Sequence, residues 1–219
     1  MSFFISFEGG EGSGKSSQAR TLYHRLEKLA IPAVLTHEPG VTVLGQKMAR
    51  LLKWAREVEI SPVAELLMFN VSRVQLVSEV IRPGLKAGKV VICDRYADST
   101  TAYQGYGRGL DPAMVREINA AGTGGLQPDL TVLLDMAPEA GLARKRGTAD
   151  RFEQEEIAFH RRVREGYLAL AKAEPQRWLV ADAAKSKTVI AGIIWERVSR
   201  LLSRQAKESV PKRSAAFQK

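Results

Sequence analysis

The chain has 219 residues, of which 45% are apolar and 26% charged, with a mean hydropathy of −0.17. That suffices to bury one sizeable core and is short for two, and no apolar run reaches the length of a membrane span. A formal charge of +9 raises nucleic acid as a ligand, but residues 204–219 hold five cations against one acid and the remainder has no basic stripe with interleaved aromatics, so none is expected.

Phe3-Phe4-Ile5-Ser6-Phe7 reads as a short buried strand beginning almost at the N-terminus, with no basic region or cleavage site before it; a cytoplasmic protein is expected. Gly9-Gly10-Glu11-Gly12-Ser13-Gly14-Lys15-Ser16 follows, and then Ala19, Leu22, Tyr23, Leu26 and Leu29 recur at helical spacing. Strand, glycine-rich turn and helix together are the setting of a phosphate-binding P-loop, whose glycines let backbone N–H groups turn inward around an anion. Gly9 through Ser16 are therefore the expected ATP-binding residues, with Lys15 reaching the outer phosphates and the Ser16 hydroxyl available to Mg²⁺.

Ala33-Val34-Leu35-Thr36 predicts a second strand, which delivers Glu38 into the turn Glu38-Pro39-Gly40. Helices are predicted at about 44–55 and from Ser61-Pro62 to about Ile81, stopping before Pro83. Lys89 to Cys93 is the third strand, leading into Asp94-Arg95-Tyr96; Cys93 is read as a core residue and His24, His37 and His160 as surface or satisfied residues. A helix starts at Asp111-Pro112, and Leu130 to Leu134 is a fourth strand ending on Asp135. Helices follow at about 138–146 and 154–172, then a strand at Trp178-Leu179-Val180 and a last helix through Ile190, Ile193, Ile194, Val198 and Leu201. This alternation predicts an α/β, P-loop NTPase-type three-layer fold with a five-stranded parallel sheet flanked by helices. A single domain spans 1–203, and 204–219 form a basic tail with the composition of a disordered segment.

Ligands of such sheets bind at the carboxyl ends of the strands. Asp94 there is the first candidate to hold Mg²⁺ with Ser16; Asp135 is a rival, read chiefly as a strand terminator. Arg95 can neutralise an acceptor's phosphate. On the long helix, Leu66, Leu67, Val74, Val77 and Ile81 form the expected core stripe, while Phe69 and Arg73 lie one turn apart on a neighbouring face, a ring to stack on a base and a donor for its carbonyl. Ser99 through Gly109 supplies hydroxyls and the Gln104 amide, which suits a pyrimidine edge, with Tyr103 beneath a deoxyribose. Residues 144–153 carry Arg144, Arg146 and Arg151 around a glycine hinge, a candidate lid that brings cations over a migrating phosphoryl group. Glu11 is unusual inside an anion-binding loop and suggests a contact to an acceptor's sugar hydroxyl.

The combination resembles the bacterial thymidylate kinase family from the first strand to about Leu202. The likeness is carried by Phe7-Glu8-Gly9 with the P-loop, Glu38-Pro39-Gly40, the Phe69 to Gln75 run, Asp94-Arg95-Tyr96, Ser99 through Gln104, Gly107-Arg108-Gly109, Pro128-Asp129-Leu130 and Asp150-Arg151-Phe152-Glu153. The resemblance implies transfer of the ATP γ-phosphate to dTMP, an acceptor region over about 38–110, a lid over about 144–153 and a homodimer packed through helices. It assigns Phe69 to thymine stacking, Arg73 to O4, Gln104 or a nearby hydroxyl to N3, Arg95 to the dTMP phosphate, Glu11 to the 3′-hydroxyl region, and Arg146 and Arg151 to the migrating phosphoryl group. Ser99, Tyr103 and Glu38 complete the acceptor set. The sequence departs from the family pattern at Val41, Gln46 and Ala49, where glycine, glutamate and arginine are common; Arg50 is one residue, about 100°, off the arginine position. A kinase for another nucleotide or nucleoside, or an ATP-binding switch without phosphotransfer, remains as an alternative.

Overall fold

A computed structural model of the chain describes residues 2–208 apart from Arg56 and Arg146, with side chains through residue 204. Among the described residues, five parallel strands lie in the order β2-β3-β1-β4-β5: β1 Phe3–Glu8, β2 Ala33–His37, β3 Val90–Asp94, β4 Leu130–Asp135 and β5 Trp178–Asp182. The central strands are apolar on both faces because both are covered; all six residues of β1 are buried. Successive side chains of β1 alternate between two cores. Phe3, Ile5 and Phe7 pack with Ala19, Leu22 and Leu26 of α1 (Lys15–Lys28) and Ile190, Ile194 and Val198 of α9 (Lys187–Glu208). Phe4, Ser6 and Glu8 face the other layer, where Phe4 meets Leu76, Val77, Cys93 and Tyr96. The period of two therefore aims Glu8, the last residue of the strand, at the helices of this second layer.

That layer contains α2 (Val43–Trp54), α3 (Pro62–Leu76), α4 (Arg82–Lys86), α5 (Ala97–Thr100), α6 (Pro112–Thr123), α7 (Pro138–Ala143) and α8 (Ile157–Ala173). Ser61 caps α3, its Oγ accepting from Ala64 N at 3.3 Å, with Pro62 at the first position as the sequence implies. Pro83 does not end the helical run. A π-helical stretch, Val77–Ile81, precedes it, in which the Arg82 N–H reaches back to the Val77 carbonyl. Pro83, with no N–H to give, then falls where the bonding changes from the wider π-helical turn to the α-helical one at the start of α4. A second π-helical stretch, Thr101–Gly107, continues α5 and carries Tyr103 and Gln104.

Three further expectations change. Leu67 and Val74, placed in the core stripe, are 48% and 46% exposed, and Arg73 of the neighbouring face is instead 1% exposed. His160 is buried at 4% exposure with Nε2 unpartnered, whereas His24 and His37 are exposed. The last helix continues to Glu208, past the expected start of the tail at 204; residues 209–219 lie outside the described residues.

Candidate active site

The donor side is built by the turn after β1. Gly9, Gly12 and Gly14 have φ of 140°, 65° and 93°, conformations that cost glycine little. A Cβ at Gly12 would stand 1.9 Å from the Gly141 carbonyl oxygen, so the loop lies directly on α7 and needs glycine for space as well. Lys15 begins α1 and folds back, Nζ donating to the Gly10 carbonyl at 2.7 Å. Burial pulls its pKa down to about 8, assisted by Arg95 and opposed by Glu11. Lys15, Ser16 and Asp94 line an open cavity of about 750 Å³ at the N-terminus of α1, where the helix dipole favours an anion. Ser16 Oγ donates to Asp94 Oδ2, which brings a hydroxyl and a carboxylate together as hard oxygen donors. Such a pair fits Mg²⁺, which takes one or two protein oxygens and fills its shell with phosphate and water. Asp135 is taken up elsewhere, accepting both arms of Arg164 at 2.7 and 2.8 Å.

A second cavity, of about 280 Å³, is lined by Phe69 and Arg73 from α3, by Ser99, Tyr103 and Gln104, the residues expected to take an acceptor, and by Phe152. The Phe69 and Phe152 rings stand 5.7 Å apart and tilted by 50°. Arg73 is saturated on its inner side. Its Nε donates to Glu38 Oε2 at 2.9 Å, Nη1 to Thr100 Oγ1 at 3.0 Å and to Asn119 Oδ1 at 2.8 Å, and Nη2 to the Tyr96 carbonyl at 3.3 Å. Five donors against those acceptors leave one Nη2 hydrogen uncommitted, on a side chain that lines the cavity. Gln104 is fully buried, and Nε2 donates to Glu65 Oε1 at 2.7 Å while Oε1 has no partner.

Glu11, Glu38, Pro39, Lys53, Arg95 and Lys145 line both cavities and form their junction. Arg95 is its centre. With φ at 70° it occupies the left-handed region, and its guanidinium donates to the Gly9 carbonyl at 3.0 Å and to Glu11 Oε1 at 2.6 Å, with the Tyr103 ring 5.1 Å away. Burial opposes ionisation of Glu11, but Arg95 and Lys15 outweigh it and, with the Tyr103 hydroxyl donating at 2.8 Å, hold the carboxyl at about 2. Behind them Glu8 accepts from Tyr96 N at 2.7 Å, Ser99 Oγ at 2.6 Å and the Tyr167 hydroxyl at 3.0 Å. Burial, reinforced by Asp98, pushes the Glu8 carboxyl up to about 7.

The thymidylate kinase family model matches residues 7–193. A thymidylate kinase of Dehalococcoides mccartyi is 55% identical over 203 residues, 92% of this chain and 98% of that relative; one of Deinococcus radiodurans is 50% identical over 198 residues, 90% and 96%. The chain belongs to the thymidylate kinase family. A crystal structure of thymidylate kinase from Ehrlichia chaffeensis superposes with a TM-score of 0.72 at 32% identity, covering 91% of this chain and 98% of that one. The five-stranded P-loop fold and the phosphotransferase class follow with the family.

Within the thymidylate kinase frame, most residues expected from the sequence converge: the P-loop, Asp94, Arg95, Glu11, Glu38, Phe69, Arg73, Ser99, Tyr103 and Gln104 surround the two cavities or their junction. Arg151 does not join them. Its Nη2 donates to Glu65 and its Nε to the Leu52 carbonyl at 2.9 Å, because the fully buried Glu65 carboxylate draws cations to itself. Arg146 lies outside the described residues, and Arg144 donates to the Ala183 carbonyl at 3.2 Å. Among the described residues of 144–153, Lys145 is the cation that lines the junction, paired with Glu153 at 2.6 Å. Lys53 also escaped the sequence reading. It lies one helical turn after Ala49, so the face on which the family pattern carries arginine still presents a cation, 3.6 Å from Asp150. Gln46 and Arg50 are exposed. Glu65 was the larger omission; its four-residue spacing to Phe69 and eight to Arg73 was the signal that all three share a face.

Proposed function

We propose that this thymidylate kinase family member transfers the γ-phosphoryl group of ATP to dTMP, giving dTDP and ADP, with the two nucleotides end to end across the carboxyl rim of the sheet. The carrying observation is the junction: a P-loop cavity and a smaller aromatic cavity share one wall containing Arg95, Lys53 and Lys145. ATP phosphates lie on the Gly9 to Ser16 loop with Lys15, and dTMP lies with its phosphate toward Arg95 and its base against Phe69, Arg73 and Gln104. A dTMP phosphate oxygen forms a bond to the γ-phosphorus as the bond to the β,γ-bridging oxygen breaks, and ADP departs with that electron pair. No enzyme nucleophile is needed, since positioning and charge neutralisation supply the catalysis.

Lys15, Arg95 and Lys145 offer positive charge to the equatorial oxygens, with Arg146 beside Lys145 in the chain. Glu11 and Tyr103 orient the Arg95 guanidinium and lie where the sugar passes, and Ser99 and Glu38 fix Arg95 and Arg73 from behind. Ser16 and Asp94 would hold Mg²⁺, which when bound neutralises the β- and γ-phosphates. A homodimer is supported by Val63, Leu67, Val71 and Val74, exposed apolar residues at helical spacing along α3, a surface suited to a second copy of the same helix. Use of ATP and dTMP points to the cytoplasm, and no helix among the described residues is long and apolar enough to cross a membrane. Phosphate transfer from ATP to dTMP, dUMP, dCMP, dGMP and thymidine is the test. Preference for dTMP is expected; preference for any other acceptor overturns the assignment.

A further inference from the structure

The Glu65 side chain stands behind the acceptor cavity, 0% exposed and reached by donors from three separate parts of the chain. Its Oε1 accepts from Gln104 Nε2 at 2.7 Å and from Arg108 Nε at 3.1 Å. Its Oε2 accepts from Arg108 Nη2 at 3.1 Å and from Arg151 Nη2. A carboxylate has about four lone-pair sites, so this one is saturated and, gripped by the two-armed Arg108 contact, fixed in its plane.

A carboxylate between two guanidinium groups accepts and does not donate. Gln104 can therefore turn only its NH₂ toward Glu65. The amide oxygen is left on the other side, buried and without a protein partner, on a side chain that lines the acceptor cavity. We infer that Glu65 is a positioning residue that sets base selectivity, by locking the Gln104 amide so that an acceptor faces the pyrimidine. The inference rests on the dTMP reading above. A base with hydrogen on N3, as in thymine, satisfies that oxygen; cytosine presents a lone pair at N3 and leaves two acceptors opposed. An unrestrained glutamine would rotate its amide by a half-turn and accept either base, which the acceptor-only neighbour prevents.

The test is the ratio of kcat/KM for dTMP over dCMP. In Glu65→Gln the new amide can donate to Gln104 and free it to turn, so the ratio falls at least tenfold while the KM for ATP stays unchanged. Glu65→Asp accepts and does not donate, and keeps the ratio even where its KM for dTMP rises. Equal loss on both acceptors in Glu65→Gln, or an equal fall of the ratio in Glu65→Asp, overturns the lock and leaves Glu65 a purely structural residue. Gln104→Ala separates the premise from the inference: an unchanged ratio there means that Gln104 does not read the base, and the proposed acceptor site fails instead. Should Glu65→Gln not fold, the ¹⁵N-labelled wild-type protein supplies the answer. The Gln104 NH₂ keeps its nuclear Overhauser contact to the Arg108 Hε in the free, dTMP-bound and dCMP-bound states; loss of that contact with dCMP overturns the lock.

Discussion

Arg95 and Glu11, 84 positions apart in sequence, meet at 2.6 Å in the wall common to both cavities. Each solves the other's problem: the arginine keeps an acid inside an anion-binding loop, and the acid aims the guanidinium across the junction. Arg95→Ala removes the central cation and should lower kcat by about a hundredfold to a thousandfold. Circular dichroism should show the fold intact, and activity near the wild-type level would place the acceptor phosphate elsewhere.

Lys15 is held to about pKa 8 by burial, with Arg95 adding to the effect. ATP phosphates restore its charge, so binding a non-hydrolysable ATP analogue should take up protons at about pH 8.5 and almost none at about pH 6. Calorimetry in buffers of different ionisation enthalpy measures this. Equal uptake at both pH values would mean that Lys15 is not the group concerned.

Glu8 has the opposite linkage from an ion-paired acid. Its folded value of about 7 lies above the ordinary 4.5, so its stabilising contribution is complete below about 4.5 and is lost as pH rises through about 7. Relative to the wild type, Glu8→Gln should gain about 1–3 kcal/mol of stability between about pH 5 and pH 8. Urea unfolding of both proteins across that interval reads the difference, which would otherwise be flat.

The lid substitutions should divide by cavity. Lys145→Ala acts at the junction and should lower kcat about tenfold or more, whereas Arg151→Ala loosens Glu65 and should chiefly raise the KM for dTMP. Steady-state kinetics with each substrate varied would show the reverse pattern if Arg151 swings over the phosphates during turnover.

Introducing charge into the exposed α3 stripe, as Leu67→Asp with Val71→Asp, should convert a dimer to a monomer in sedimentation velocity. A wild-type monomer, or a variant that still sediments as a dimer, removes the helix-packed homodimer.

Strands and P-loop were legible because their signals are local: a fully buried parallel strand is apolar throughout, and a phosphate loop is contiguous. That Phe69, Arg73 and Gln104 would line one cavity was legible from their chemistry and spacing. Helix α3 misled because it has apolar residues on both sides, one set in the core and another on the surface, so periodicity alone placed Leu67 and Val74 inside. Glu65 was invisible for a different reason. An acid in the first turn of a helix is ordinary, and only the approach of Gln104, Arg108 and Arg151, from 39, 43 and 86 positions away, makes it a fixed point. Arg151, expected over the phosphates, instead pairs with Glu65 while Lys145 lines the junction, because charge composition shows that 144–153 is basic and does not show which cation a buried carboxylate will claim.

Cys93 sits mid-sheet on β3, fully covered, and is the single cysteine of the chain. Burial raises its thiol well above the ordinary range, so a thiol reagent has neither access nor thiolate until β3 is uncovered. The rate of modification thus becomes a native-state clock for opening of the β-layer, and slowing of that clock by saturating dTMP or ATP would weigh each nucleotide's grip without any turnover.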